Sequence, residues 1–199
     1  MANRKKQFNI KEEYKNIWKY LRESKNFIYF SIIIFFVSFL LAFIFPASGN
    51  LLNYILELIT DLLEKTSKLS GFELILFILL NNLSSSFFGM IFGFFLGVFP
   101  FLALLLNGYV LGFVSSLSIA ENGFSSLWRI LPHGIFELPA IFLALGIGLR
   151  LGSFVFQKKG IDKFRYLFVN SIKTFLLIVL PLLLIAAIIE GTLIFIFGN

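Results

Sequence analysis

The sequence predicts an all-α, polytopic membrane helix bundle of about five transmembrane helices, with amphipathic interfacial helices beside them. Three observations predict it. Hydrophobic residues make up 58% of the chain and charged residues only 14%, against about 45–50% and about 25% in soluble domains. Mean hydropathy is correspondingly positive, at +0.91. Apolar runs recur that reach the roughly 20 helical residues needed to cross a hydrocarbon core about 30 Å thick, and the basic residues between them alternate in density.

Residues 1–26 read as a basic cytoplasmic segment, with 27–199 forming a single transmembrane domain. The first apolar run is long enough to span and has no convincing small-residue cleavage site, so a cleaved signal is not expected. Phe8, Tyr14, Ile17, Trp18 and Leu21 fall near helical spacing with lysines between them. That pattern suits a short amphipathic helix lying on the inner leaflet. The first span covers 27–45 and stops at Pro46. An outer amphipathic helix follows at about 48–70, where Leu51, Leu52, Ile55, Leu56, Ile59, Leu62 and Leu63 recur at helical spacing opposite Asn53, Glu57, Thr60, Asp61 and Glu64.

The apolar block 72–118 holds a second and third span, with a break expected near Phe99 and Pro100. A fourth span covers 132–156, where Pro139 predicts a kink, and an overlong fifth covers 167–197, interrupted by Pro181. Charge tests the count independently. Arg4, Lys5, Lys6, Lys11, Lys15, Lys19, Arg22 and Lys25 precede the first span, while Arg150, at the inner end of the fourth, Lys158, Lys159, Lys163 and Arg165 after it, and Lys173, just inside the fifth, cluster on the same side. The other side receives only Lys65, Lys68 and Arg129. The positive-inside rule then puts the N-terminus in the cytoplasm and the C-terminus outside a cell membrane. It also explains the net charge of +6 as topology, so no nucleic-acid partner is expected.

Small residues mark where helices can approach. Gly89, Gly93 and Gly97 form consecutive GxxxG spacings, which recur at Gly108 and Gly112 and at Gly148 and Gly152. Such spacing lets backbones touch, either within the bundle or between copies in a homo-oligomer. Polar residues inside the spans are more informative, because an ionisable group in lipid is costly and usually marks pairing or function. Asn81, Asn82, Asn107, His133, Glu137 and Glu190 form this set. His133 and Glu137 lie one helical turn apart. At 1.5 Å per residue, Glu137 and Glu190 fall at similar depths, roughly 10 Å below the outer edge, with the asparagines deeper.

The chemistry open to these residues is narrow. With no cysteine in the chain, disulfides, thiol nucleophiles and thiolate metal sites are excluded. There is no GxSxG, HExxH or phosphate-binding glycine loop. His133, Glu137 and Glu190 would be the whole of any zinc site or intramembrane hydrolase, and HxxxE alone is a poor metal signature. No catalytic residue, metal or cofactor is therefore expected. An ion or proton site and a structural polar network both stay open.

Four segments together resemble a known family: LLNNLSSSFFGMIFGFFLGV (79–98), LLNGYVLG (105–112), LPHGIFELPAIFLALGIGLRLG (131–152) and VLPLLLIAAIIEG (179–191). In this order they look like the stage II sporulation protein M family of multi-pass membrane proteins. The resemblance implies a non-enzymatic scaffold. In spore-forming bacteria the namesake helps to place two peptidoglycan-degrading enzymes at the septal membrane, and the family also occurs in organisms that make no spores. Membrane lipids and envelope or septal membrane proteins are the partners implied. The alternative is a permease, channel or transporter subunit, because proline-interrupted spans with buried charge are what transporters use to hold solutes.

Overall fold

The computed structural model describes residues 9–129, 131–157 and 160–197, with side chains except those of 51, 58, 63, 127–129, 131–133 and 197. The described residues form seven α-helices and no strand: α1 Ile10–Ile44, α2 Gly49–Ser67, α3 Gly71–Ile91, α4 Val98–Asn122, α5 Leu131–Gly152, α6 Gly160–Thr174 and α7 Leu180–Phe197. Five stretches are long and apolar enough to cross a membrane, Ile10–Ile44, Gly71–Phe94, Val98–Asn122, Gly134–Phe156 and Gly160–Ile196. The protein is thus a multi-pass helical membrane bundle.

The first helix differs from the expectation of a separate amphipathic piece on a leaflet. Asn9 caps α1 by accepting from the Lys11 N–H at 3.1 Å, and no glycine or proline interrupts the 35 residues that follow. At 1.5 Å per residue α1 is about 50 Å long, so its first turns extend past any hydrocarbon core. Part of their apolar face turns into the bundle, while Tyr14 and Trp18 stay 40% and 59% exposed. Ile17, Tyr20 and Leu21 are buried in one cluster with Leu167 and Phe175, from α6 and the turn after it. Residues 1–8 of the basic segment lie outside the described residues.

The hairpin between α3 and α4 also turns earlier than expected. A 3-10 turn at Phe92–Phe94 is followed by Leu96 at φ 56° and Gly97 at φ 75°. Glycine reaches this left-handed region without steric cost, so the chain reverses there. Pro100 sits in the first turn of α4, where its missing N–H needs no partner. A wide π turn at Phe175–Val179 carries α6 into α7. Pro181 has no N–H to donate back along the helix, and the wider turn accommodates the lost bond. Helical structure runs on through Pro139 in α5.

Helix α5 is the centre of the bundle. In its span 67% of the most apolar window is buried, against 22–33% in the other four. Ala140, Ala144 and Ile147 are fully buried in the cluster that also holds Leu183 of α7. Close backbone approach makes this packing feasible. A Cβ on Gly93 would fall on the Gly148 carbonyl oxygen, and one on Gly152 would meet Gly97 N. On the other side α4 lies against α1, where a Cβ on Gly108 or Gly112 would fall on the carbonyl oxygen of Phe35 or Phe39. Gly89 faces the Leu145 side chain of α5. Serines join the same seams: Ser31 donates to the Phe142 carbonyl at 3.1 Å and Ser38 to that of Leu105 at 2.7 Å.

Because these glycines meet backbone rather than flexible side chains, Gly93→Leu and Gly112→Leu should each destabilise the bundle by about 3 kcal/mol or more. Gly160→Ala should be near neutral, since nothing lies within 4 Å of the added methyl. Equilibrium unfolding in mixed micelles would separate the two classes.

Candidate functional site

Four helices converge on a polar pocket. Helix α4 supplies Asn107, α5 supplies Glu137 and α7 supplies Glu190, around a cavity of about 630 Å³ whose walls include Phe35, Val110, Leu111 and Leu138. A smaller cavity of about 50 Å³ adjoins it, lined by Asn81, Asn82, Ser85 and Ser86 of α3. Asn107, Glu137 and Ile141 line both. Asn81, Asn82, Asn107, Glu137 and Glu190 are therefore neighbours in space. His133 stands in the first turn of α5, and its side chain lies outside the described residues.

Local geometry explains how each group is presented. Asn107 donates its amide hydrogen to the Ala103 carbonyl at 2.8 Å, a bond within its own helix that fixes the side chain. Glu190 lies beside Gly191, whose missing side chain lets α7 close on Ile75 of α3. Its Oε2 atom is buried and has no hydrogen-bond partner among the described residues. An unpaired buried carboxylate oxygen costs free energy comparable to a lost hydrogen bond or more. Among the described residues no group of three or more histidine, aspartate or glutamate side chains is placed to hold a metal ion.

A second polar centre lies at the basic end of the bundle. Arg150, at the end of α5, has a side chain only 7% exposed. Its Nη1 donates to the Tyr20 carbonyl at 2.9 Å and to Ser24 Oγ at 2.7 Å, and its Nη2 to Glu23 Oε2 at 2.8 Å. The guanidinium also lies 4.5 Å from the Tyr20 ring centroid. Tyr166 of α6 donates to the same Glu23 oxygen at 3.0 Å, and the Tyr20 hydroxyl is 2.9 Å from Ser171 Oγ. Lys173 completes the join with a 2.6 Å ion pair to Glu13.

Reading the sequence alone treats Arg150 as one more boundary charge. The available signal is its place within GIGLRLG, where an arginine between apolar residues needs a partner. That partner, Glu23, is remote in sequence and belongs to a segment expected to lie on a leaflet.

The profile of the stage II sporulation protein M family matches residues 31–193. The match takes in every pocket residue but excludes the α1 half of the Arg150 network. An uncharacterized protein of Methanocaldococcus jannaschii is 29% identical over 201 residues, which covers 94% of this chain and 88% of that protein. No solved structure matches the chain.

Removing Arg150 leaves Glu23 with the Tyr166 hydroxyl alone and empties a fork that lysine refills only in part, so on equilibrium unfolding Arg150→Met should lose about 3 kcal/mol of stability and Arg150→Lys less.

Proposed function

The chain belongs to the stage II sporulation protein M family, and from that premise we propose that it is a non-enzymatic membrane scaffold that assembles or localises envelope partner proteins. The observation that carries this reading is the way α2 is held. Among the described side chains of the helix, Leu52, Ile55 and Ile59 pack on the bundle, against Ala42, Tyr109 and Phe113. Tyr54, Leu56 and Leu62 are 60%, 39% and 48% exposed, so part of the apolar surface of α2 stays uncovered beside Glu57 and Asp61. An amphipathic helix fastened by part of its apolar surface and leaving the rest uncovered is suited to docking a partner helix. The basic end faces the cytoplasm in this proposal, which places α2 outside.

The repeated glycines support internal assembly more than self-association. Gly93, Gly108, Gly112, Gly148 and Gly152 all abut backbone of the same chain, so a homo-oligomer would use other surfaces. A second reading, as a solute-handling subunit, is favoured by one feature, the polar pocket of Glu137 and Glu190.

Cross-linking in native membranes followed by affinity capture would test the scaffold. Stoichiometric recovery of an envelope-remodelling protein is expected, falling at least fivefold with Tyr54→Asp and Leu62→Asp together. Ile55→Asp is the wrong probe because it detaches α2 from its own bundle. Unchanged recovery in the Tyr54 and Leu62 double variant would remove α2 from the docking role. Solute flux abolished by Glu137→Gln, with no partner recovered, would favour the second reading.

A further inference from the structure

The pocket between α4, α5 and α7 has the chemistry of a ligand site, and we infer that it binds a primary ammonium group carried on an apolar chain. The inference rests on the pocket itself and holds whether the protein scaffolds or transports. Three observations converge on that ligand. First, the volume of about 630 Å³ lies within the range of about 300–1,000 Å³ that small-molecule pockets occupy, well beyond the needs of a bare ion. Second, the polar groups gathered at one end are hydrogen-bond acceptors, two of them carboxyls that can carry negative charge. Glu137 and Glu190 approach from two different helices, and neither lysine nor arginine lines the pocket among the described residues. Third, Glu190 Oε2 is buried with no donor from the described chain.

An ammonium group answers all of these at once. It brings a positive charge to the paired carboxyls and three N–H donors, enough for both glutamates and an asparagine oxygen. The rest of the pocket asks for an apolar chain. Its walls are aliphatic and aromatic, and two of them mark the way in. Val110 of α4 and Ile135 of α5 line the cavity yet are 43% and 67% exposed, so it opens sideways between those helices onto the surface that lipid chains cover. A ligand entering there can keep its chain in hydrocarbon while its head reaches the carboxyls. A free alkylamine and the head of an aminophospholipid both carry this chemistry.

The test uses the purified full-length chain in a neutral maltoside detergent, titrated with n-octylammonium and with n-octanol as the uncharged match. Saturable binding of the ammonium, at least tenfold tighter than the alcohol, is expected. Glu190→Gln should weaken it at least tenfold while leaving octanol unchanged. Val110→Trp, which obstructs the mouth without touching either carboxyl, should abolish it and decides the matter should Glu190→Gln fail to fold. Equal affinity for amine and alcohol, or native affinity in a folded Glu190→Gln or Val110→Trp chain, would overturn the inference, and so would no ammonium binding at all. Native mass spectrometry from nanodiscs containing phosphatidylethanolamine identifies the source. A retained aminolipid displaced by n-octylammonium supports the inference with a lipid ligand. Binding of n-octylammonium with no lipid retained supports it with a free amine.

Discussion

A charge placed inside a membrane bundle must be paired by the chain itself, because neither lipid nor distant water will do it, and Arg150 is where this chain meets that demand. Its fork reaches the Tyr20 carbonyl, Ser24 and Glu23 on α1, and through Glu23 it is tied to Tyr166 on α6. One side chain therefore fixes the basic ends of three helices. Only α5 could carry it, since α5 is the helix that the others surround. Pairing a buried guanidinium yields little net stability against a well-packed apolar core, whereas leaving it unpaired is severely costly. The network consequently works as a register device, allowing one arrangement of α1, α5 and α6 and penalising the alternatives.

From that anchor the helix transmits position. Glu137 lies 13 residues before Arg150 on α5, about 20 Å away along a helix with 1.5 Å rise per residue. Between them run the close glycine contacts at Gly146 and Gly148 and the fully buried Ala140 and Ala144. Little freedom to slide or rotate survives such packing. The polar pocket thus stands on a rigid strut whose far end is clamped. The two polar centres differ in kind. At the basic end Arg150, Tyr166 and Lys173 each find an acceptor, while at the pocket a buried Glu190 oxygen finds none within the described chain. A satisfied network explains cohesion; an unsatisfied one beside an open cavity invites a ligand.

Much of this architecture is legible in the sequence. Five apolar segments and the asymmetry of lysine and arginine define the spans, because the cost of exposing backbone and charge to lipid is large and local. The polar set was legible through the same cost, since Asn81, Asn82, Asn107, Glu137 and Glu190 stand out from apolar surroundings. Depth along each helix brings Glu137 and Glu190 level, although only the packing shows that both face one cavity. What the pattern hides depends on long-range partners. Nothing local tells that α1 continues unbroken past Lys25, because its amphipathic face suits a lipid surface and α6 equally well. Pro100 draws the eye as the break between α3 and α4, yet proline is comfortable in a first helical turn, and the reversal belongs to Leu96 and Gly97.

The central claim is that the Arg150 clamp holds α5 so that Glu137 and Glu190 face the same pocket. The chain has no native cysteine, so a Glu137→Cys and Glu190→Cys pair can be joined by a short thiol cross-linker in intact membranes without background. Rapid cross-linking is predicted with Arg150 in place, and a marked loss of rate and yield when Arg150→Met is added. A pair that fails to cross-link with Arg150 present, or one that links equally well without it, would contradict the account.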